Sequence, residues 1–389
     1  MIKAQTLKGF RDFLPKEVKK REYVINTLKR VFESYGFEPI ETPALEYEEI
    51  LAGKYGGEGE KLMYRFIDKG GRKVALKFDQ TVPLARFISQ YQNDIPLPLK
   101  RYQIQEAWRA ENTQKGRYRE FTQCDIDIVG VDSPISDFEL LEIATNVYRK
   151  LGFKNIKILI NDRVSFADIP TEALAIIDKL KKIGENGVKK ELKLKGFKEN
   201  LLEKTKNNKP TERVKKVLEL AKSSGFEKEI IFTQTLARGL DYYTGIIMEA
   251  EAENYSGGSL GGGGRYNKLI SLFTGIDIPA VGFSFGFDRI IDAMDDLGLF
   301  PTDLEIIKVL VTYSQEALEI ARKFRDAGIN TQVYPEEKDL EKQLKYADKK
   351  QIPYVIILSG EKLILRNMKK RIQEEITIEK VIKKLSPIS

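Results

Sequence analysis

The order of apolar and polar positions at the start of the chain predicts a long helix, then a strand and a second helix. Across residues 14–36 the apolar side chains recur near helical spacing, and Gly36 stands where a helix would end. The stretch 73–81 predicts a strand. Residues 83–91 predict a helix with Pro83 in its first turn, where a missing amide hydrogen is tolerated.

Two longer strands are predicted at residues 100–108 and 119–130, around the polar turn 112–117. The second strand divides by parity, because successive side chains of a strand point to opposite faces. One face is mostly apolar, and the other carries an amide and two carboxylates: Gln123, Asp125 and Asp127. A sheet surface in contact with water would explain the polar face. Aspartate is depleted in strands, however, so we favour the floor of a polar pocket.

Further along the chain the pattern changes character twice. A helix is predicted over 133–151 and a strand over 156–162. Residues 166–225 are lysine-rich and helical in spacing, with breaks at GENG and KNNKP, which indicates an inserted helical subdomain. Strand-like segments resume at 230–249 and precede a glycine cluster. Residues 305–389 alternate strand and helix as a βαβαβ unit, which predicts a parallel or mixed sheet.

These patterns predict an α/β (α+β) chain with two domains and an insertion. Residues 1–165 and 226–300 form the first domain, which the helical segment 166–225 interrupts. Residues 305–389 form the second domain. Pro301 and the acidic residues near it mark the linker between them.

The composition restricts the chemistry that the chain can perform. Its 389 residues contain no histidine and a single cysteine, Cys124. These facts exclude a histidine general base, a Ser–His–Asp triad, an imidazole metal ligand, an intramolecular disulfide and a cysteine-rich zinc site. Chemistry must rest on carboxylates, lysine, arginine, hydroxyl groups or a hard cation such as Mg²⁺, a set that suits phosphate chemistry. We expect no zinc, haem or flavin.

The net charge of +7 and the pI of about 9.0 favour a polyanionic partner only weakly. The basic excess is concentrated in residues 171–230 and 305–389, and two solvated lysine-rich surfaces would also explain it. No apolar run approaches the length of a membrane span, and the N-terminus has no signal-peptide hydrophobic region. We therefore expect a cytoplasmic protein without a membrane partner.

Five segments carry motifs: WRAENTQKGRYREFTQCDIDIVG (108–130), LARGLDYYTG (236–245), GGGGRYNKLI (261–270), AVGFSFGFDRIIDAM (280–294) and FDQTVPLAR (78–86). The glycine run is not a Walker loop, because RYN follows it instead of lysine and a hydroxyl residue. Together the five segments resemble the histidyl-tRNA synthetase family, which belongs to class II, and LEKQLKYADKKQIPYVIIL resembles the anticodon-binding domain of that family. Class I is disfavoured, because its HIGH signature needs histidine. The resemblance implies a class II catalytic domain, with an antiparallel sheet flanked by helices, and a C-terminal α/β anticodon-binding domain.

The resemblance implies that two arginines act catalytically on the α-phosphate of ATP. Segment 108–130 resembles motif 2 of class II synthetases, and Arg109 matches its arginine. Arg238, in segment 236–245, matches the histidyl-specific arginine that contacts both the α-phosphate and the histidine carboxylate. An arginine fork fits phosphate oxygens and neutralises charge that develops at phosphorus. The other positions that match ATP-binding residues are Glu111, Arg117 and Arg289. Mg²⁺ is expected on the β- and γ-phosphates, with Glu249 or Glu251 as candidate ligands.

The same resemblance implies a histidine site, whose matching positions are Asp79, Thr81, Gln123, Asp127, Arg238, Tyr242 and Tyr243. Asp79 and Thr81 stand two residues apart, hence on one face, and match the pair that binds the α-amino group. Asp127 replaces the family's common glutamate and is the candidate partner of the imidazole ring. Adjacent tyrosines on a regular strand point to opposite faces, and we favour Tyr243 for contact with the ring. Asn267 also departs from the family, which commonly has aspartate there.

The implied reaction is activation of histidine by ATP to histidyl-adenylate, followed by transfer to tRNA(His). Gln114 and Lys115 match the region that faces the tRNA acceptor end, and the resemblance of residues 7–50 implies a homodimer. The main alternative is a non-catalytic paralogue, such as a histidine-sensing regulatory subunit of histidine biosynthesis. Such proteins usually lack the signature arginine and the anticodon-binding unit, whereas this chain has Arg238 and residues 305–389. The histidyl segments disfavour a synthetase of the Thr/Pro/Gly group.

Overall fold

The computed structural model describes residues 2–52, 62–113, 118–237, 243–302, 304, 306–359 and 362–386. Backbone contacts divide the chain into two compact units. The first consists of Met1–Asp12 and Arg21–Phe300, and the second of Phe13–Lys20 and Pro301–Ser389.

The N-terminal helix predicted from the apolar spacing is confirmed as α1, Pro15–Ser34. Its buried side chains recur at helical spacing along one face: Val24, Thr27, Leu28, Val31 and Phe32. Gly36 has a φ of +74°, the left-handed conformation that favours glycine after a helix. The sequence signal for the end of the helix therefore has a conformational cause.

The strands of the first unit are β1 Glu38–Pro39, β2 Leu45–Tyr47, β3 Arg65–Ile67, β4 Lys73–Leu76, β5 Leu99–Trp108, β6 Glu120–Val129, β7 Ile156–Asp162, β8 Ile230–Phe232, β9 Ile246–Ala252, β10 Gly261–Arg265 and β11 Ala280–Phe285. One sheet has the order β1-β5-β6-β11-β10-β9-β7-β8, and a small sheet has the order β2-β4-β3. Among the described strands of the large sheet, only the outermost pairs, β1–β5 and β7–β8, are parallel. The predicted antiparallel sheet and its β5–β6 hairpin are confirmed.

The glycine cluster after β9 forms an inner strand, β10, although glycine weakens strands and no alternation predicted one. Its neighbours approach too closely for a side chain. A Cβ atom on Gly263 would lie 2.0 Å from the carbonyl oxygen of Gly282 on β11. Only glycine fits this position without a shift of the backbone.

The further helices of the first unit are α2 Glu48–Ala52, α3 Thr81–Gln90, α4 Pro134–Lys150, α5 Thr171–Ile177, α6 Leu180–Leu194, α7 Asn200–Lys206, α8 Glu212–Ser223, α9 Asn267–Thr274 and α10 Phe287–Asp296. Helix α4 begins after Ser133, whose side chain accepts a hydrogen bond from the backbone amide of Ile135. The predicted break at GENG is a kink inside α6, where Gly184 has a φ of +68°. The predicted break at KNNKP separates α7 from α8.

The second unit contains β12 Val309–Val311, α11 Ala317–Asp326, β13 Thr331–Val333, α12 Leu340–Lys349, β14 Tyr354–Ser359, β15 Lys362–Asn367, β16 Ile372–Glu375 and α13 Ile378–Leu385. Strands β13, β12 and β14 are parallel neighbours, which confirms the predicted βαβαβ unit. Strands β15 and β16 add an antiparallel edge, so the sheet is mixed. Within the described parts of both units, every helix is too short or too polar to cross a bilayer.

Candidate active site

One face of the large sheet carries a band of polar side chains and glycines, termed the polar face. Residues paired on adjacent strands point to the same side of a sheet. One row across β5, β6, β11 and β10 is Arg101, Asp127, Gly282 and Gly264. The next row, which reaches β9, is Gln103, Asp125, Ser284, Gly262 and Glu249. A third row joins Gln105 to Gln123.

The β6 residues of the polar face are buried, so the explanation of β6 as a sheet surface in contact with water is wrong. Gln123, Asp125 and Asp127 are 8%, 4% and 3% exposed. On the opposite face of β6, Ile126 and Ile128 belong to the same apolar core as helix α4. The parity that the sequence predicted therefore separates a hydrophobic core from a buried polar layer.

Asp127 lies in the first row of the polar face, between two buried partners. Its Oδ2 atom is 2.6 Å from Nη2 of Arg101. The hydroxyl group of Tyr266 donates a hydrogen bond to Oδ1 of Asp127. Arg101 also donates through Nη1 to Oε1 of Gln103, at 3.2 Å. The protein itself thus orients the Asp127 carboxylate with a cation and a hydroxyl group.

Burial disfavours the charged forms of both Asp127 and Tyr266. Burial raises the pKa of Asp127 to about 6, although the ion pair with Arg101 lowers it in part. Burial also raises the pKa of Asp125, which Arg101 again lowers in part. The pKa of Tyr266 is raised well above its usual range by burial and by the charge of Asp127. The polar face therefore offers an anionic acceptor whose ionisation needs a pH above about 6.

A second hydrogen-bond network fixes the segment that leads into α3. Nε2 of Gln80 donates to the carbonyl oxygens of Gln105 and Gln123, each at 3.1 Å. Nζ of Lys77 donates to Oε1 of Gln105 at 2.7 Å and to the carbonyl oxygen of Thr42 at 3.1 Å. Burial lowers the pKa of Lys77 to about 8. These contacts hold the start of α3 against the β5–β6 hairpin.

Arg109 follows β5, and the segment that carries Asp79 and Thr81 lies next to it. Oδ1 of Asp79 accepts a hydrogen bond at 3.3 Å from the backbone amide three residues later, and Thr81 is the first residue of α3. Nε of Arg109 donates to the carbonyl oxygen of Phe78 at 3.0 Å, next to Asp79 along the chain. The Arg109 guanidinium also lies 4.9 Å from the ring centroid of Phe121. The structure therefore places Arg109 against the backbone of the segment that carries Asp79 and Thr81.

Two further candidates for ATP binding are Glu111, which precedes the hairpin loop, and Arg289, which lies in α10. Arg289 is in the first turn of α10, as predicted, and its Nη1 donates to the carbonyl oxygen of Ser259 at 2.9 Å. The carbonyl oxygen of Glu111 accepts from Nε of Arg119 at 3.2 Å, across the loop. Both candidates are thus held through contacts to the backbone.

Tyr243 lies against the glycine strand. A Cβ atom on Gly264 would come within 2.9 Å of Cδ1 of Tyr243, so glycine there makes room for the aromatic ring. The expectation that this tyrosine belongs to a regular strand is wrong, because β9 begins only at Ile246. The parity argument from a strand therefore does not apply to it.

Five candidate positions lie outside the described residues: Gln114, Lys115, Arg117, Arg238 and Tyr242. The chain on both sides of the segment 238–242 is anchored to the sheet. Nδ2 of Asn161 donates to the carbonyl oxygens of Gln234, at 2.9 Å, and Leu236, at 3.2 Å. The backbone amide of Thr244 donates to the carbonyl oxygen of Arg265 at 2.7 Å.

Arg265, in the segment GGGGRYNKLI (261–270), is buried in an ion pair with helix α4. It is 2% exposed, and its Nη2 lies 2.6 Å from Oδ1 of Asp137 on α4. It points away from the polar face, since it differs in parity from Gly264. Oδ1 of Asn267 accepts from the backbone amide of Ala280 at 3.2 Å. Asparagine therefore serves as the acceptor where the family commonly has aspartate.

Sequence reasoning missed the polar residues that β5 contributes to the site. Arg101, Gln103 and Gln105 are polar at alternate positions, which was the available signal. Potential metal ligands are sparse: among the described residues, no group of three or more acidic or cysteine side chains could hold an ion. Glu249 lies in the second row of the polar face, whereas Glu251 is paired with Lys181.

Comparisons with known proteins agree with this architecture. A family model described as Histidyl-tRNA synthetase matches residues 9–175 and 160–290, and one described as Anticodon binding domain matches residues 306–387. The histidine–tRNA ligase of Christiangramia forsetii is 39% identical, over 93% of this chain and 94% of that protein. The histidine–tRNA ligase of Treponema denticola is 38% identical, over 99% of this chain and 98% of that protein.

Solved structures give the same picture. The histidyl-tRNA synthetase from Nostoc sp. PCC 7120 superimposes with a TM-score of 0.84 and 31% identity, covering 99% of this chain and 100% of that chain. An ATP phosphoribosyltransferase regulatory subunit/histidyl-tRNA synthetase from Bacillus halodurans has a TM-score of 0.74 at 23% identity, covering 92% of this chain and 98% of that chain. At that identity the second comparison shows a shared fold alone.

Proposed function

The chain belongs to the histidyl-tRNA synthetase family, and we infer that it is an ATP-dependent histidine–tRNA ligase. The observation that carries our assignment of the site is the polar face, where Asp127 stands between Arg101 and Tyr266. On that face we propose that histidine is activated by ATP and then passed to tRNA(His).

In the first step, a histidine carboxylate oxygen attacks the α-phosphorus of ATP. The bond from phosphorus to the pyrophosphate oxygen breaks, and histidyl-adenylate and pyrophosphate form. Arg109 and Arg238 are proposed to stabilise the negative charge that develops on the phosphoryl oxygens, as preorganised donors do. The bond from Arg109 to the Phe78 carbonyl supports this role, because it holds the side chain before substrate binds. Asp79 and Thr81, beside it, are proposed to bind the α-amino group.

Selection of histidine needs polar groups that an apolar analogue would leave unpaired. We propose that Asp127 accepts a hydrogen bond from the imidazole ring and that Tyr243, with Tyr242, encloses it. Gln123 supports a polar pocket, because its buried Oε1 atom has no hydrogen-bond partner among the described residues. Gly282 supports the placement of Asp127, because a Cβ atom there would lie 1.9 Å from Oδ1 of the carboxylate.

ATP is proposed to contact Glu111, Arg117 and Arg289 in addition to the two catalytic arginines. Mg²⁺ commonly binds through one or two carboxylates together with substrate phosphates and water. On the polar face, Glu249 offers one carboxylate on β9, away from Asp127 on β6. This arrangement fits an ion held mainly by phosphates and water better than an ion held by protein ligands alone. Bound there, Mg²⁺ would neutralise charge on the β- and γ-phosphates.

In the second step, a ribose hydroxyl group of the terminal adenosine of tRNA attacks the carbonyl carbon of histidyl-adenylate, and AMP leaves. An adenylate phosphate oxygen can accept the hydroxyl proton, so a separate protein base is not required. Gln114 and Lys115 are proposed to face the acceptor end. The C-terminal unit is the anticodon-binding domain.

We further propose that the chain is a homodimer and acts in the cytoplasm. An apolar face of the small sheet supports self-association. Leu45, Tyr47 and Phe66 are 43%, 51% and 49% exposed on one side of it, as their pairings with Leu76 and Val74 indicate. Burial of such a face against a second copy would remove apolar surface from water.

The exchange of labelled pyrophosphate into ATP tests the proposed function. Wild-type protein should catalyse exchange with histidine alone among the twenty amino acids. Arg109→Ala and Arg238→Ala should each lose about 10²–10³ in rate, the usual cost of removing one preorganised donor, while the fold and the dimer persist. Arg322→Ala, an exposed position in the anticodon-binding domain, is the control and should behave as wild type.

Near-normal exchange by Arg238→Ala would contradict the assigned role of that arginine. The rival function, a regulatory paralogue, predicts a different pattern: histidine binding without exchange. Exchange with another amino acid would instead favour a different class II synthetase.

A further inference from the structure

The N-terminal strap, residues 7–11, lies against Thr113 and Arg119 before α1 begins. The carbonyl oxygen of Gly9 accepts from the backbone amide of Arg119 at 2.9 Å, and that of Lys8 accepts from Nη1 of Arg119 at 3.5 Å. Gly9 has a φ of +90°. A Cβ atom there would lie 2.8 Å from side-chain atoms of Arg119 and Thr113. The strap is therefore packed closely against described residues on both sides of segment 114–117.

Arg11 extends from the strap and joins two elements of the proposed ATP site. Its guanidinium carbon lies 3.2 Å from the ring centroid of Tyr118, which is a stacked arrangement. Its Nη2 atom is 2.8 Å from Oδ1 of Asp288 in the first turn of α10. Tyr118 directly follows Arg117, and Asp288 directly precedes Arg289. A single side chain thus contacts the neighbours of two residues proposed to bind ATP.

We infer that Arg11 is a positioning residue for ATP, which holds the exit of the hairpin loop and the first turn of α10 in a fixed relation. The inference rests on the proposed function, because it takes Arg117 and Arg289 as ATP-binding residues. A guanidinium suits the task, since its planar face stacks on an aromatic ring while its edge donates to a carboxylate. Lysine would supply the charge without the planar stacking surface.

The contacts of Arg11 to Tyr118 and Asp288 can be removed without a large loss of fold stability. The Arg11 side chain is 24% exposed. Asp288 has a second cation, Arg21, whose Nη1 atom is 2.8 Å from the same carboxylate oxygen. Arg21 also donates to Oγ1 of Thr122 at 2.7 Å. Removal of Arg11 therefore leaves Asp288 paired and α10 tied to α1, and it breaks the connection to Tyr118.

Pyrophosphate exchange with ATP and histidine titrated separately tests the inference. In Arg11→Ala we expect the KM for ATP to rise about five- to tenfold, on the order expected for one stacked cation and one partly exposed ion pair. The KM for histidine and the Tm should stay near wild type. Arg11→Lys should restore the KM only in part. Lys8→Ala is the matched control, because it removes the same charge from the same strap but keeps the backbone contact to Arg119.

The partner ring supplies an independent measurement. Tyr118→Leu should raise the KM for ATP as Arg11→Ala does, whereas Tyr118→Phe keeps the ring and should match wild type. The Arg11→Ala/Tyr118→Leu double variant should be no worse than either single variant, because both remove one contact. An unchanged KM for ATP in Arg11→Ala, equal rises in both KM values, or full additivity in the double variant would overturn the inference. Wild-type protein without any exchange would overturn the proposed function itself.

Discussion

Replacement of Asp127 by asparagine keeps the size of the side chain and removes one charge from the polar face. In the folded chain, the two oxygens of Asp127 meet Nη2 of Arg101, at 2.6 Å, and the hydroxyl group of Tyr266. Asparagine retains one acceptor oxygen, and its amide group would donate where the carboxylate accepted. With one acceptor oxygen left, Arg101, Tyr266 and the incoming imidazole N–H can no longer all be satisfied.

The expected loss of histidine affinity follows from the strength of that contact. A hydrogen bond to a charged group contributes about 1.5–3 kcal/mol, and about 1.4 kcal/mol corresponds to a factor of ten. The KM for histidine should therefore rise about 10- to 100-fold. ATP is proposed to bind other residues, so its KM should change by less than about twofold.

Asparagine is not expected to destabilise the fold, because the charge of Asp127 opposes folding. Burial raises the pKa of Asp127 from 3.8 to about 6, and this shift already includes the attraction of Arg101. That shift means that the ionised carboxylate lowers the unfolding free energy by about 3 kcal/mol relative to its neutral form. We expect the Tm of Asp127→Asn to lie within about 4 °C of wild type or above it.

The pH dependence has a definite sign. Between about pH 4 and 6 the folded chain binds the Asp127 proton more tightly than the unfolded chain does. The contribution of Asp127 to stability therefore falls as the pH rises through that window and is constant above it. In Asp127→Asn, this fall in stability between about pH 4 and 6 should be absent.

Pyrophosphate exchange at neutral pH, with histidine titrated at saturating ATP and the reverse, measures both KM values. Thermal melts from about pH 4 to 8 measure the stability effect. Asp125→Asn is the matched control, since it makes the same chemical change two residues along the same buried face. An unchanged KM for histidine, or an equal rise for ATP, would refute the role of Asp127. A loss of more than about 10 °C in Tm would refute the stability argument.

Two further substitutions test the surroundings of this site. Gly282→Ala should abolish histidine activation and lower the Tm, because its Cβ atom would lie 1.9 Å from Oδ1 of Asp127, and overpacking costs about 1–3 kcal/mol. Gly245→Ala is the control for both pyrophosphate exchange and thermal melts. Its methyl group would meet nothing nearer than 3.3 Å. Similar activity of the two variants would contradict the close approach of Gly282 to Asp127. Lys77→Met should weaken the rise of stability with pH between about 8 and 10.5, because burial lowers the pKa of Lys77 and the unfolded chain then binds more protons. Parallel curves of Tm against pH for Lys77→Met and wild type would show that its pKa is not perturbed.

Much of the fold is encoded in local pattern. The helical spacing of α1 and the alternation of β6 involve side chains that are near neighbours along the chain, so both are visible in the sequence. Strand β10 cannot be predicted from such a local pattern. Its glycines have no alternation, and their place in the sheet depends on the backbone of β11, where Gly282 approaches Gly263. The antiparallel edge formed by β15 and β16 likewise depends on pairing with β14.

For the site, the sequence by itself determined which face of β6 is polar and which residues match the motifs of the family. The tertiary structure alone decided that this face is buried and that Asp127 lies between Arg101 and Tyr266. It also decided that Arg265 serves the packing of α4 through Asp137. The physical reason is that cross-strand pairs depend on register and burial, which are set by contacts among residues distant in sequence.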